Sequence, residues 1–84
     1  MKHKLRGIKH KIKFQKPKLF KKAIAEIIYK KRLIRISPKL KGKLKLEAII
    51  HEALHGCVYD LKEEAVFETA KDIAKLLWRL GYRS

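Results

Sequence analysis

The feature that most constrains the fold is a pair of histidines four residues apart in an apolar stretch. The sequence reads His51-Glu52-Ala53-Leu54-His55, the pattern HExxH, and the surrounding segment from Leu44 to about Tyr59 is compatible with a helix. Residues four apart share one face of a helix, so both imidazoles can turn toward a single ion with Glu52 beside them. Two imidazoles leave room around zinc for a third protein ligand and a water. The pattern predicts His51 and His55 as zinc ligands.

A second helix is predicted from Leu61 to Leu80. Asp60 has the side chain of an N-cap, and Glu63 three residues later would complete a capping box. Gly81 suits the position that ends the helix. The two predicted helices are therefore joined by a short reversal that brings the end of the first close to the start of the second.

The third zinc ligand is expected from the start of this second helix. Advancing about 100° per residue places Glu63 on the apolar face, which also carries Val66, Ala70, Ile73 and Leu77. A carboxylate directed toward a core needs a partner, and a zinc ion would be one. Glu63 is the first choice and Glu64 the second, because the helix rotation is uncertain by a residue. The simpler alternative is that Glu63 only closes the capping box.

The first half of the chain has the patterns of strands. Residues 8–14 alternate apolar or histidine side chains with lysines, which indicates a half-buried strand. Residues 26–29 and 33–36 read as a hairpin with the basic tip Lys30-Lys31-Arg32. We therefore predict a single α+β domain over residues 1–84, in which a small antiparallel sheet of about three strands packs on two helices. Residues 1–43 form the basic strand-rich half, and residues 44–84 form the helical half with the metal motif.

Charge is distributed very unevenly. Residues 1–45 carry 18 Lys and Arg and one acid, Glu26, for a net charge of +17, whereas residues 46–84 carry 5 basic and 7 acidic residues. The basic half could contact nucleic acid, the ribosome or another acidic partner. The alternative is a lysine coat that keeps a small protein soluble and protects its strand edges.

Cys57 is the only cysteine, so the chain cannot form an internal disulfide and a reducing compartment is expected. The sequence from Lys2 to Phe14 lacks the continuous apolar stretch of a signal peptide, and no segment is long enough for a membrane span. These features predict a cytoplasmic protein without membrane contact. Cys57 itself is expected to be a packed thiol, His3 and His10 surface or strand residues, and Phe67, Trp78 and Tyr82 packing residues.

The chain resembles the zincin metallopeptidases, especially very small gluzincin-like or SprT-like proteins of the kind predicted in bacteriophage genomes. The resemblance covers about Leu33 to Tyr82 and rests on residues 33–36, the apolar run 46–50 leading into the motif and Gly56, and segments 63–66, 72–74 and 77–82. It implies a zincin-like fold, His51 and His55 as zinc ligands, Glu52 as the catalytic base, and an acidic ligand from the following helix. A viral protein of this kind would act in the host cytoplasm or the virion.

The expected function is that of a zinc-dependent metallopeptidase, whose peptide substrate would pair with a free strand edge, the predicted one being Leu33 to Ile36. Tyr59 is the candidate donor to the developing oxyanion. The competing hypothesis is a basic module that binds nucleic acid or the ribosome and in which zinc is structural, vestigial or absent. A third hypothesis is a virion or host-targeting protein that keeps the site for stability.

Overall fold

The computed structural model describes residues 1–19 and 23–82 of the 84-residue chain. Four strands precede two helices: β1 (Lys2–Leu5), β2 (Ile8–Lys13), β3 (Ala25–Ile28), β4 (Leu33–Ile36), α1 (Gly42–Cys57) and α2 (Glu63–Arg79). The predicted α+β class is confirmed. None of the described helices is long and apolar enough to cross a membrane.

The sheet has four strands in the order β1-β2-β4-β3. β1 pairs with β2 and β3 pairs with β4 in antiparallel fashion, whereas β2 and β4 run parallel. The sheet is thus mixed, and it is larger than the three-stranded antiparallel sheet that the sequence predicted. The extra strand β1 forms because Arg6 and Gly7 have φ angles of 51° and 81°. Two consecutive residues with positive φ make the two-residue turn that matches the twist of a β-hairpin.

The predicted hairpin over residues 26–36 is confirmed as β3 and β4. A single 3₁₀ turn, Tyr29–Lys31, forms its tip, and Arg32 ends the turn in the left-handed conformation with φ 49°. In the sheet β4 lies between β2 and β3, although β3 precedes it in the chain. From sequence alone, the stretch from Leu19 to Ala25 is either a short helical turn or a loop, and residues 20–22 of it lie outside the described residues.

Both predicted helices are present with shifted boundaries. α1 begins two residues earlier than expected, and α2 spans Glu63–Arg79 with Lys62 as its N-cap. The predicted N-cap at Asp60 is wrong, because residues 58–61 form a turn in which the Leu61 amide donates to the Val58 carbonyl at 3.0 Å. The capping box is therefore absent. Its carboxylate, that of Glu63, makes other contacts.

The end of α2 follows the prediction at Gly81. Gly81 has φ 91°, its amide donates to the carbonyl of Trp78, and the amide of Tyr82 donates to that of Leu77. These two bonds are the Schellman arrangement, which favours glycine because only glycine adopts this φ without strain.

The core lies between one face of the sheet and the inner sides of the helices. Its buried centre on the sheet and α1 consists of Leu5, Ile34, Ile36 and Ala48. α1 approaches β1 so closely that a Cβ atom at Gly56 would lie 2.7 Å from Leu5 Cδ1. A larger residue directly after His55 would therefore displace the Leu5 side chain.

On α2 the buried residues are Val66, Ala70 and Ala74, whereas Ile73 is partly exposed. The predicted apolar face was therefore rotated, with Ala74 taking the inward place assigned to Ile73. Alanine at two inward positions lets the helices approach closely. Phe67 and Tyr82, which were predicted to pack, are more than half exposed, and His10 is buried, with Nδ1 2.8 Å from the Ile8 carbonyl oxygen.

Candidate metal centre

Three side chains from the two helices converge at the junction of α1 and α2. His51 and His55 lie one turn apart on α1, and their Nε2 atoms are 3.2 Å from each other. Glu63, the first residue of α2, contacts both rings: Oε1 lies 2.8 Å from His51 Nε2 and Oε2 lies 2.8 Å from His55 Nε2. The structure thus brings together the two histidines and the first-choice acid that the sequence proposed as ligands.

The spacing of the two ring nitrogens fits a tetrahedral metal site. With zinc–nitrogen distances of about 2.0–2.1 Å, a separation of 3.2 Å corresponds to a nitrogen–metal–nitrogen angle of about 100°. In the metal-free state each Nε2 could instead donate a proton to one oxygen of Glu63. The partially positive hydrogens of the two Nε2–H groups would then repel each other, because the nitrogens are only 3.2 Å apart. A cation bound by both lone pairs and the carboxylate removes that conflict, so the donor set fits zinc.

Glu63 reaches the histidines through the predicted reversal between the helices, and not through the apolar face of α2 on which the sequence also placed it. Its side chain is 68 % exposed and does not point into the core. Instead, the reversal over residues 58–62 places the first turn of α2 beside the last turn of α1. Glu64 is also exposed, and of these two neighbouring acids only Glu63 contacts the imidazoles among the described residues.

Glu52 is part of the same cluster but has a different environment. One of its carboxylate oxygens and the two ring nitrogens lie within 4.8 Å of one another. Glu63 is the better ligand candidate, because its two oxygens each lie 2.8 Å from a ring nitrogen. Glu52 is 5 % exposed, and burial, followed by the negative charges of Glu63 and Glu26, raises its pKa to about 7. A carboxylate beside the metal position with such a pKa can accept a proton near neutral pH.

A cleft of about 350 Å³ runs over this cluster and along β3. Its walls include Tyr29 as well as His51, Glu52, His55 and Glu63. The sequence analysis missed Tyr29. Burial, followed by the charges of Glu52 and Glu63, raises the pKa of this phenol, so the hydroxyl keeps its proton. Tyr59, the oxyanion donor considered from sequence, is 71 % exposed on the connection between the helices.

A second cavity of about 190 Å³ adjoins the cleft at His51 and Glu52. Its other walls are mostly apolar and come from both halves of the chain: Ile24, Ala25, Leu44, Glu47, Ala48 and Phe67. The ring of Phe67 also lies edge-on to His51 with centroids 6.5 Å apart. Phe67 therefore borders the candidate site although the sequence assigned it to packing. Its spacing of four residues from Glu63 on α2 was the signal that could have placed it there.

The remaining candidate residues lie away from the cluster. Cys57 is half-buried and packs against the core formed by the sheet and α1, as expected for a packed thiol. His3 and His10 are paired across β1 and β2 and contribute no ligand to the cluster.

No known family model matches the chain, and neither a curated protein nor a solved structure is significantly similar to it.

Proposed function

We propose that this protein is a zinc-dependent hydrolase that cleaves peptide bonds, as its resemblance to the zincin metallopeptidases suggests. The observation that supports it most is the convergence of His51, His55 and Glu63 with Glu52 buried beside them. Two imidazoles and one carboxylate are the ligand set of many catalytic zinc sites, in which a fourth position is left for water.

Zinc, when bound, supplies Lewis acidity that polarises a carbonyl and lowers the pKa of a coordinated water. The chain itself supplies the proton acceptor. Glu52, whose pKa in the metal-free chain is raised to about 7, takes the proton of the attacking water and passes it to the leaving amine. A carboxyl group with its ordinary pKa would be a weaker base toward the attacking water.

Tyr29 is proposed as the hydrogen-bond donor to the oxygen of the scissile carbonyl. It lies at the tip of the β3–β4 hairpin and lines the same cleft as Glu52. A tyrosine hydroxyl is protonated at neutral pH, and burial and the nearby acids raise the pKa of Tyr29 further, so this hydroxyl can donate. A donor directed at the developing negative charge stabilises the transition state more than the ground state.

The substrate would bind along β3 and not along β4. Within the described sheet β4 is an inner strand paired on both sides, so the sequence-based choice of Leu33 to Ile36 as a free edge is wrong. β3 is the edge strand beside the cleft and can pair with an extended peptide. The adjoining apolar cavity would take one side chain of that peptide, with Glu47 at its wall. The expected substrate is thus an extended segment with a large apolar residue near the scissile bond.

Elemental analysis of the purified protein, combined with cleavage of a mixed library of quenched fluorescent peptides, tests this proposal. We expect about one zinc per chain and cleavage that a chelator abolishes and zinc restores. His51→Ala should lose both the zinc and the cleavage. His3→Ala is the matched control, because His3 is an exposed histidine on β1 outside the cluster.

The proposal would be contradicted if the wild-type protein bound no zinc after incubation with the ion. It would also be contradicted if the His51→Ala variant retained full cleavage. A cytoplasmic location, expected from the single cysteine, belongs to the same proposal. It can be checked by fractionating cells that express the natural protein.

A further inference from the structure

The outer face of β1 and β2 carries five lysines and no acid. The antiparallel register places Lys2 opposite Lys11 and Lys4 opposite Lys9. Directly opposed residues point to the same face of a sheet, and alternate residues share it. Leu5, Ile34 and Ile36 occupy the opposite face, against α1. The lysine face therefore consists of the exposed residues Lys2, Lys4, Lys9, Lys11 and Lys13 on the side of the sheet away from the helices.

The positive charge of the lysine face is not neutralised by acidic side chains of the described residues. Like charges directly opposite each other on neighbouring strands destabilise a sheet. None of the five lysines forms an ion pair with another side chain in residues 1–19 and 23–82. The one acid of residues 1–45, Glu26, is 5 % exposed and already paired with Arg35 at 2.8 Å. The positive charge of the lysine face is thus available to an external polyanion.

The residues of the lysine face indicate which kind of polyanion it can bind. It contains no aromatic ring on which an unpaired base could stack, and the nearest arginine on β4, Arg35, is engaged by Glu26. Lysine ammonium groups bind phosphates as point charges and read no base sequence. None of its residues is an exposed large hydrophobic side chain that could insert into lipid. A face of exposed lysines without aromatic or large apolar side chains matches the phosphate backbone of a double helix.

The lysine face is also separate from the candidate metal centre. In the strand order, β1 and β2 occupy the edge opposite to β3, which borders the cleft. We propose that the lysine face binds duplex nucleic acid through its phosphates, without sequence specificity, while the cleft remains free. This inference does not depend on the proposed hydrolase activity.

Fluorescence anisotropy with a 20-base-pair DNA duplex at several salt concentrations tests the proposal. Five lysine–phosphate contacts predict a slope of about −4 for the logarithm of the association constant against that of the salt concentration. Lys9→Gln/Lys11→Gln should make this slope shallower by about 2 and weaken binding at low salt at least about tenfold. The matched control Lys71→Gln/Lys75→Gln removes the same charge from exposed positions of α2 and should change affinity less than about twofold.

A second variant guards against a folding defect. Lys2→Gln/Lys4→Gln removes the same opposed pairs from the other strand and should reproduce the loss, with an unchanged circular dichroism spectrum. The proposal is overturned if both lysine-face variants bind like the α2 control. It is also overturned if single-stranded DNA, polyglutamate or anionic phospholipid vesicles compete more strongly than the duplex. A duplex RNA of equal length identifies which double helix is preferred, and His51→Ala should bind like the wild type whatever the fate of the metal centre.

Discussion

Glu26 and Glu52 are equally buried, at 5 % exposure each, yet their surroundings push their pKa values in opposite directions. Burial alone would raise the pKa of Glu26, but the amide of Lys18, the Arg35 guanidinium and the amide of Leu19 hold it below its ordinary value. The contacts are 2.8–3.1 Å long. Glu52 has no such donors among the described residues, and its pKa rises to about 7.

The comparison shows that burial does not decide what a carboxylate does in a small protein. Donors that surround Glu26 fix its charge and tie the segment before β3 to the sheet. Glu52 borders a cleft and faces two other acids, which leaves it able to exchange a proton. One glutamate therefore has a structural role, and the other has the properties of a catalytic base.

The largest expected effect distinguishes Glu52 from Glu26 by the rate of peptide cleavage. Glu52→Gln should lower kcat/KM for peptide cleavage about a thousandfold, because an amide cannot accept the proton of water. Zinc content should remain at the wild-type level, since the amide leaves His51, His55 and Glu63 intact. Glu26→Gln, assayed under conditions where it is folded, serves as the control and should keep most of the activity. Equal cleavage by Glu52→Gln and the wild type would remove Glu52 from the mechanism.

The second effect distinguishes Glu26 from Glu52 by the free energy of unfolding. Glu26→Gln should reduce the free energy of unfolding at pH 7 by about 3 kcal/mol, because it leaves the Arg35 guanidinium without its charged partner. Urea unfolding followed by circular dichroism measures the change. The exposed Glu68→Gln on α2 is the matched control and should stay within about 0.5 kcal/mol of the wild type. A Glu26→Gln protein as stable as this control would show that the pair with Arg35 contributes nothing net.

The pH dependence of stability should have opposite signs at the two positions. Glu52 in the chelator-treated protein retains a proton that the unfolded chain releases above its ordinary pKa of 4.5, so its contribution falls as pH rises from about 4.5 to 7. Glu52→Gln should therefore exceed the wild type by about 3 kcal/mol in free energy of unfolding above pH 7 and match it below about pH 4.5. The lowered pKa of Glu26 stabilises at neutral pH, and that contribution disappears as pH falls through the folded value.

Urea unfolding of both variants between pH 4 and 8 provides the comparison. A difference between Glu52→Gln and the wild type that is constant across this range would mean that Glu52 does not titrate there.

The smallest expected effect concerns the hydroxyl of Tyr29, which lines the same cleft as Glu52. Tyr29→Phe should lower kcat about tenfold, corresponding to about 1.4 kcal/mol, with little change in KM or zinc content. Tyr59→Phe is the control, because Tyr59 is a highly exposed tyrosine. Equal kcat values for the two variants would exclude Tyr29 as the donor to the carbonyl oxygen.

Features encoded by neighbouring residues were predictable from sequence. The histidine pair, the two helices, the β3–β4 hairpin and the glycine at the end of α2 each depend on residues within a few positions. The choice of Glu63 was also local, since only a short reversal separates it from His55. Its buried orientation was wrong because the reversal, and not the apolar face of α2, positions the carboxylate.

Features that depend on distant parts of the chain were not predictable. β1 has a single buried residue, Leu5, and its lysines give no strand signal. The parallel pairing of β2 with β4 makes β4 an inner strand and joins residues more than twenty positions apart, such as Lys11 and Leu33. Tyr29 gave no sequence signal for its place beside Glu52, because the hairpin tip reaches the cleft only after the sheet has packed against α1.

The ligand candidates lie close together along the chain, and this has a consequence for the order of events during folding. His51 and Glu63 are only twelve positions apart, whereas β2 and β4 pair residues that are more than twenty positions apart, such as Lys11 and Leu33. Short loops close faster than long ones. Capture of an ion by the helical hairpin can therefore precede completion of the sheet, which would make zinc a nucleus for folding as well as a reagent.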